Sequence, residues 1–208
     1  MSDEPIRNCP AGIVTKRIPI TTWSPLRHWN VGPGSKVAVV GLGGLGHMAI
    51  KLAKALGAEV TLFSRSPNKE ADARHLGATH IVISTDEKQM QDARNQFNLI
   101  IDTVPYVHDL NPYLPTLALS GTLVLVGYQG DLNLMLNSAP LILGRKLVAG
   151  SVIGGIAETQ EMIDFCAEHQ IASDIELINI QDINMAWQRM LKNDVKYRFV
   201  IDMASLKA

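Results

Sequence analysis

Lys36-Val-Ala-Val-Val40 runs without a break into Gly41-Leu-Gly-Gly-Leu-Gly46 and then His47. The first five residues form a valine-rich apolar run of the kind that makes a strand buried on both faces. After the glycines, Leu45, Ala49, Leu52, Ala53 and Leu56 recur at helical spacing. Strand, glycine turn and helix, in that order, make a seat for a dinucleotide pyrophosphate. Gly41 permits the tight turn, Gly43 lets the backbone approach the phosphates, and Gly46 lets the helix pack closely on the strand. Backbone N–H groups and the positive end of the helix dipole then face the anion. Glycine turns are common, and methyltransferases use similar loops, but here the flanking segments on both sides agree with the nucleotide reading.

The next strand bears on which nucleotide. Gly57 closes the helix as a C-terminal cap, and Glu59-Val-Thr-Leu-Phe63 predicts a second parallel strand. A site for NAD usually places Asp or Glu at the end of that strand, to bind the ribose 2′-hydroxyl. This chain has Ser64-Arg-Ser-Pro-Asn-Lys69 there instead. A carboxylate would repel a 2′-phosphate, whereas the hydroxyls of Ser64 and Ser66 and the cations of Arg65 and Lys69 can hydrogen-bond and neutralise it. The other reading of the same residues is an ordinary solvated loop, where Arg and Lys are common. The missing acid favours NADP(H) over NAD(H).

A chain of 208 residues suits one good-sized domain, or one domain with an appendage. It can bury roughly 70% of its unfolded surface and needs no disulfide or metal staple to fold. The formal net charge of −1 gives no electrostatic case for nucleic acid or an anionic membrane as partner. No apolar run approaches the length of a membrane span, and Met1-Ser-Asp-Glu-Pro-Ile-Arg7 lacks a signal-peptide core. Cys9 and Cys166 are the only cysteines, in no metal-ligand spacing. These features predict a reduced, cytoplasmic protein.

Strand-like and helix-like segments alternate with short loops, the pattern of a doubly wound parallel sheet. Helices are expected near Lys69–Leu76, Glu87–Arg94 and Leu110–Leu119. Strands are expected at His80–Ile83, Leu99–Thr103, Gly121–Gly127 and Leu147–Ser151. Beyond these, Glu158–His169 reads as an amphipathic helix, Ile175–Ile178 as a short strand, Asp182–Lys192 as a capped helix and Tyr197–Asp202 as a last strand. The fold class is therefore α/β, a Rossmann-type doubly wound six-stranded parallel sheet with a short C-terminal α/β appendage. The expected divisions are an irregular segment 1–18, a nucleotide-binding domain 19–155 and an appendage 156–208.

Further stretches add a resemblance: Ile20-Thr-Thr-Trp-Ser-Pro-Leu-Arg-His-Trp29, Asp102-Thr-Val104, Leu125-Val-Gly127, Gly150-Ser-Val-Ile-Gly-Gly155, Glu158-Thr-Gln-Glu-Met162, Asp164-Phe-Cys166 and Asp194-Val-Lys-Tyr-Arg-Phe-Val-Ile-Asp202. With the glycine turn, they resemble the C-terminal part of zinc-dependent medium-chain alcohol dehydrogenases. The match is to the NADP-dependent cinnamyl alcohol dehydrogenase group and its bacterial aldehyde-reductase relatives, from about Pro19 to Asp202. The resemblance implies hydride transfer between NADP(H) and a primary alcohol or aldehyde in the full-length family. It also implies a cofactor site. Thr21 falls near the nicotinamide, Gly43, Gly44 and Leu45 on the pyrophosphate, and Ser64, Arg65, Ser66 and Lys69 on the 2′-phosphate. Thr103 and Val104 fall beside the adenosine, Gly127 on the nicotinamide ribose, and Ser151 and Ile153 on the carboxamide. Lys196 reads either as a pyrophosphate contact or as solvated surface.

The departures from the family pattern matter as much. Family members begin with a catalytic domain that carries zinc on a Cys and a His-Glu pair, with a four-cysteine structural site, and none of this is in the sequence. Another catalytic ligand is normally a Cys three residues before the Ile of Ile20-Thr-Thr22, and Arg17 stands there. Cys9-Pro-Ala-Gly-Ile13 resembles the family's Cys-Ala-Gly-Ile but is out of register. Zinc is therefore expected only in full-length members, and no catalytic or metal residue is assigned. His47 opens the nucleotide helix and reads either as a neighbour of the phosphates or as helix-surface packing. His28 resembles family packing at the domain junction, and His75, His80, His108 and His169 form no metal-ligand pair. Asp102 is read as shaping the cofactor turn, and Cys166 as a buried small hydrophobe. The leading expectation is the NADP(H)-binding portion of an alcohol dehydrogenase, inactive alone, with a homodimer or a separate catalytic-domain chain as partner. The alternatives are a zinc-free NADPH reductase and a non-enzymatic nucleotide-binding or interaction module.

Overall fold

The structure, a computed structural model, describes residues 19–131, 135–192 and 194–207. These fall into two compact units, Pro19–Met162 and the residues from Ile163 onward. Six parallel strands run through the first: β1 (Lys36–Val40), β2 (Glu59–Ser64), β3 (His80–Ile83), β4 (Phe97–Asp102), β5 (Leu117–Leu125) and β6 (Leu147–Gly150). They form one sheet in the order β3-β2-β1-β4-β5-β6. Both faces are covered, so Val37, Ala38, Val39 and Val40 are all buried, and the alternation of a half-solvated strand does not appear. One core cluster joins Phe63 at the end of β2 to Phe97, Tyr113, Leu114 and Leu123. The Phe63 ring meets Phe97 and Tyr113 edge-on, each at 5.3 Å between centroids. Each large apolar side chain buried this way contributes about 1.5–3 kcal/mol.

The helices of this unit are α1 (Ile20–His28), α2 (Gly46–Ala55), α3 (Glu70–Leu76), α4 (Glu87–Asp92) and α5 (Ser138–Gly144). Several are simply capped. Asp86 accepts a bond from the Gln89 amide at the start of α4, and Gly77 ends α3 in a left-handed conformation at φ +108°. The helix expected over Leu110–Leu119 is not formed. In its place are a turn, a short 3-10 segment Leu114–Thr116, and the early start of β5 at Leu117. Pro112 and Pro115 explain the difference, because each removes an amide donor and biases the residue before it away from helical angles. Lys146 Nζ fastens the turn by donating to the carbonyls of Leu114 and Pro115 at 3.0 and 3.2 Å. Conversely, α1 and α5 were not expected from the sequence.

The helix α6 (Ile156–Glu168) spans the division between the units. After it, β7 (Glu176–Asn179) and β8 (Phe199–Asp202) pair in parallel, with α7 (Ile183–Leu191) between them in sequence. Arg189 holds this second unit together. Its guanidinium donates to Glu176 at 2.8 Å and to Asp194 at 3.0 Å, and it lies 4.9 Å from the centre of the Phe199 ring. The Arg189 bonds hold both carboxyls below the usual carboxylate range. The stabilisation is therefore complete above that range and is lost as acid takes the pH down through the lowered values. Replacing Arg189 by Met should lower the melting temperature at pH 7. The gap from the parent chain should shrink as the pH falls to about 3, which thermal unfolding at a series of pH values would show.

Candidate functional site

Because all six strands are parallel, their C-terminal ends lie along one edge of the sheet. The order reverses between β1 and β4, from which the chain winds outward in opposite directions. A crevice opens at such a switch point. The glycine turn sits there. Gly41 has φ +88° and donates its amide to Phe63 at 3.2 Å, joining the ends of β1 and β2. A β-carbon on Gly46 would overlap the Gly41 carbonyl oxygen, so α2 can start this close to β1 only with glycine. Gly43 is the opposite case: a β-carbon there would meet nothing within 4 Å. That open face of the backbone, at the N-terminal end of the ten-residue α2, fits an approaching diphosphate. His47 is fully buried, and its Nδ1 lies 3.1 Å from the Gly43 carbonyl, bracing the turn against the helix. Gly44 and Leu45 lie between these fixed points.

At the end of β2, the Ser64 hydroxyl donates to the Ser66 carbonyl at 2.8 Å and accepts from the Ser66 amide at 3.3 Å. Ser64 thus shapes the turn, and the positive charge comes from exposed Arg65 and half-buried Lys69 in the segment that follows. The end of β3 secures the other side, where the Ser84 amide donates to the Ser64 carbonyl at 2.8 Å.

Thr103, just past β4, donates its hydroxyl to the Val40 carbonyl at 2.8 Å and lies beneath the glycine turn together with Val104. The preceding Asp102 is completely buried. Its Oδ1 accepts from the Val104 amide at 3.0 Å, and its Oδ2 accepts from Gln129 Nε2 at 3.2 Å. His108 Nε2 is 3.1 Å from the same Oδ2, an ionic approach without the alignment of a good hydrogen bond. Burial pushes the Asp102 carboxyl above the usual range, against the opposing pull of these partners. Gly127 follows β5 so tightly that a β-carbon would overlap the Val104 carbonyl oxygen. After β6, Ser151 donates its amide to Leu125 at 3.0 Å, while Ile153 is exposed. Thr21 lies in the first turn of α1, whose Ile20 approaches Gly154.

The edge therefore gathers Gly41, Gly43, Gly44, Leu45, Gly46, Ser64, Arg65, Ser66, Thr103, Val104, Gly127 and Ser151 at successive strand ends. Lys69 is one short turn beyond, and Thr21 and Ile153 belong to the segment around Gly154. Sequence reasoning passed over Tyr106, whose ring lies 5.8 Å from the Arg65 guanidinium, and the pairing of His108 with Asp102. Neither contact has a periodic signal: the first joins the loops after β2 and β4, and the second folds the loop after β4 back onto its own strand end. Among the described residues, no group of three or more His, Cys, Asp or Glu side chains could hold a metal ion, so the described residues do not fit zinc. Arg17 and Cys9 lie outside the described residues.

Comparison with known proteins gives one consistent result. Residues 44–168 match the family model described as zinc-binding dehydrogenase. The NADP-dependent alcohol dehydrogenase C 1 of Mycolicibacterium smegmatis is 51% identical over 91% of this chain and 54% of its own length. Among solved structures, a cinnamyl alcohol dehydrogenase from Sorghum bicolor superposes with a TM-score of 0.85 at 44% identity, over 89% of this chain and 53% of that one. The corresponding enzyme of Helicobacter pylori, solved with NADP(H), gives 0.78 at 43% identity, over 89% of this chain and 52% of that one. The chain spans about half the length of the curated relatives it matches.

The glycines differ in what they tolerate. Gly46→Ala should lower stability by about 3 kcal/mol through overlap with the Gly41 carbonyl, whereas Gly43→Ala should leave it within about 0.5 kcal/mol. Paired denaturant titrations of the two variants measure the difference.

Proposed function

Because this chain belongs to the zinc-binding dehydrogenase family, we propose that it is the NADP(H)-binding portion of an alcohol dehydrogenase or aldehyde reductase. The observation that carries the reading is the pairing of two features on one sheet edge. The Gly41–Gly46 turn leaves Gly43 open to a diphosphate, and the neighbouring β2 end offers Arg65, Ser66 and Lys69 where a carboxylate would mark NAD. NADP(H), when bound, supplies or accepts hydride for a primary alcohol or aldehyde. This chain's residues bind and orient it. Gly43, Gly44 and Leu45 take the pyrophosphate, Arg65, Ser66 and Lys69 the 2′-phosphate on a turn that Ser64 shapes, Thr103 and Val104 the adenosine side, and Gly127, Ser151, Ile153 and Thr21 the nicotinamide end. No step is assigned to a metal, and none of these residues takes a catalytic role.

In this reading residues 19–155 are the cofactor domain and 156–208 the appendage that packs on a catalytic domain. Exposed Leu177, Trp187, Leu191 and Met203 support such a covering, whether by a separate chain or by a second copy. Leu147 on edge strand β6 and nearby Ile142 and Leu143 are also exposed, which supports a homodimer. No helix among the described residues is long and apolar enough to cross a membrane. A reducing, cytoplasmic setting completes the proposal, in keeping with Cys166 as a buried free thiol whose pKa burial pushes up to about 11.

Calorimetric titration with NADPH and, in parallel, NADH tests the assignment. NADPH should bind at least about tenfold more tightly, since charge-assisted bonds to the 2′-phosphate are worth roughly 1.5–3 kcal/mol. Lys69→Leu should reduce NADPH affinity and leave NADH unchanged. Equal affinity for the two dinucleotides, or none for either, would overturn the proposal.

A further inference from the structure

Arg65 is exposed on a turn, and a free arginine there would sample many rotamers. It is not left free. Tyr106 reaches back from the loop after β4 and sets its ring 5.8 Å from the guanidinium carbon, within the reach of a cation–π contact. Tyr106 is itself 48% exposed, so burial does not hold it in place.

His108 does. Its Nδ1 lies 3.0 Å from the Tyr106 carbonyl oxygen, and its ring stands edge-on to both Tyr106 and Tyr113, at 6.4 and 6.2 Å between centroids. The imidazole is only 18% exposed, and its Nε2 is set 3.1 Å from Asp102 Oδ2. Both ring nitrogens therefore face oxygens, one on the loop and one on a side chain rooted in the sheet. Asp102 is the last residue of β4, fully buried and braced by the Val104 amide and Gln129. A line of contacts thus runs from β4 through Asp102, His108 and Tyr106 to Arg65. Burying a carboxylate is costly, and here it anchors the loop that carries the arginine's platform.

We propose that Tyr106 is a specificity-determining residue for the 2′-phosphate of NADP(H), acting as the platform that preorients Arg65, and that His108 on Asp102 is the positioning pair that fixes this platform. The inference rests on the reading of the edge as an NADP(H) site. Preorientation lowers the entropy lost when Arg65 engages a phosphate, so the gain falls on NADPH and not on NADH, which has no 2′-phosphate.

Titrations of the full chain with NADPH and NADH test this on four proteins: the parent, Tyr106→Leu, Tyr106→Phe and His108→Ala. Tyr106→Leu should weaken NADPH about two- to fivefold, the worth of an exposed cation–π contact, and leave NADH unchanged. Tyr106→Phe keeps the ring face and should retain the parent preference. His108→Ala should lose preference in the same direction as Tyr106→Leu. In a double-mutant cycle, removing Arg65 should cost less NADPH affinity in the Tyr106→Leu background than in the parent. An unchanged NADPH/NADH ratio in Tyr106→Leu, an equal loss of both dinucleotides, or additivity in the cycle would overturn the inference while the parent's preference still stood. A parent chain with no preference for NADPH would overturn the functional reading and this inference with it.

Discussion

The whole site depends on one close approach, that of α2 to β1 across the glycine turn. With any side chain at residue 46, the helix start would have to move away from the Gly41 carbonyl, and the helix end would no longer point at the crevice beside β4. That single steric constraint links the sheet to the site. Val37 to Val40 bury β1 on both faces, Gly41 reverses the chain at φ +88°, and Thr103 locks the end of β4 beneath the turn through the Val40 carbonyl. The backbone at Gly43 is then left open because everything around it is fixed.

The valines of β1 and the glycines of the turn lie within a dozen residues of one another, which is why the sequence discloses them. Apolar periodicity and glycine position are local properties, and a buried parallel sheet rewards both. The bounds of β3 and the parallel sense of the six strands of the main sheet could be read for the same reason. The segment 110–119 could not. Its apolar residues Leu110, Leu114, Leu117 and Leu119 have a helical look, yet Pro112 and Pro115 prevent the helix and Leu117 pairs instead opposite Phe97. Apolar spacing outweighed the prolines in the reading, although in the chain it is the backbone donor that decides. The helices α1 and α5 escaped notice for a related reason. Pro25 lies inside the first and the second has no buried residue, so neither presents the clear amphipathic stripe that sequence reading relies on.

The site was legible to the same extent and stopped at the same kind of limit. Glycines, serines and cations at strand ends are visible one strand at a time. The pairing of Arg65 with Tyr106 depends on loops from different strands meeting over the sheet edge, and that of Asp102 with His108 on the loop after β4 folding back onto its own strand end. Asp102 and His108 both stood out individually as residue types able to do chemistry. Only the path of the loop after β4, which returns His108 to the end of its own strand, shows that the two meet.

A carboxylate at this place is otherwise hard to reconcile with an edge suited to phosphates. An exposed anion at the end of β4 would oppose the field of Arg65 and Lys69, because opposite charges on one small surface cancel at the distance of a bound ligand. The structure avoids that conflict by burial and pairing. Asp102 is shut away from solvent, its carboxyl is pushed above the usual range by that burial, and an imidazole, an amide side chain and a backbone N–H surround its oxygens. An uncharged isostere at 102 would offer the Val104 amide and Gln129 weaker bonds, since hydrogen bonds involving a charged partner are roughly twice as strong as neutral ones. The edge thus gains a loop anchored by an acidic residue while leaving its accessible charge to exposed Arg65 and half-buried Lys69.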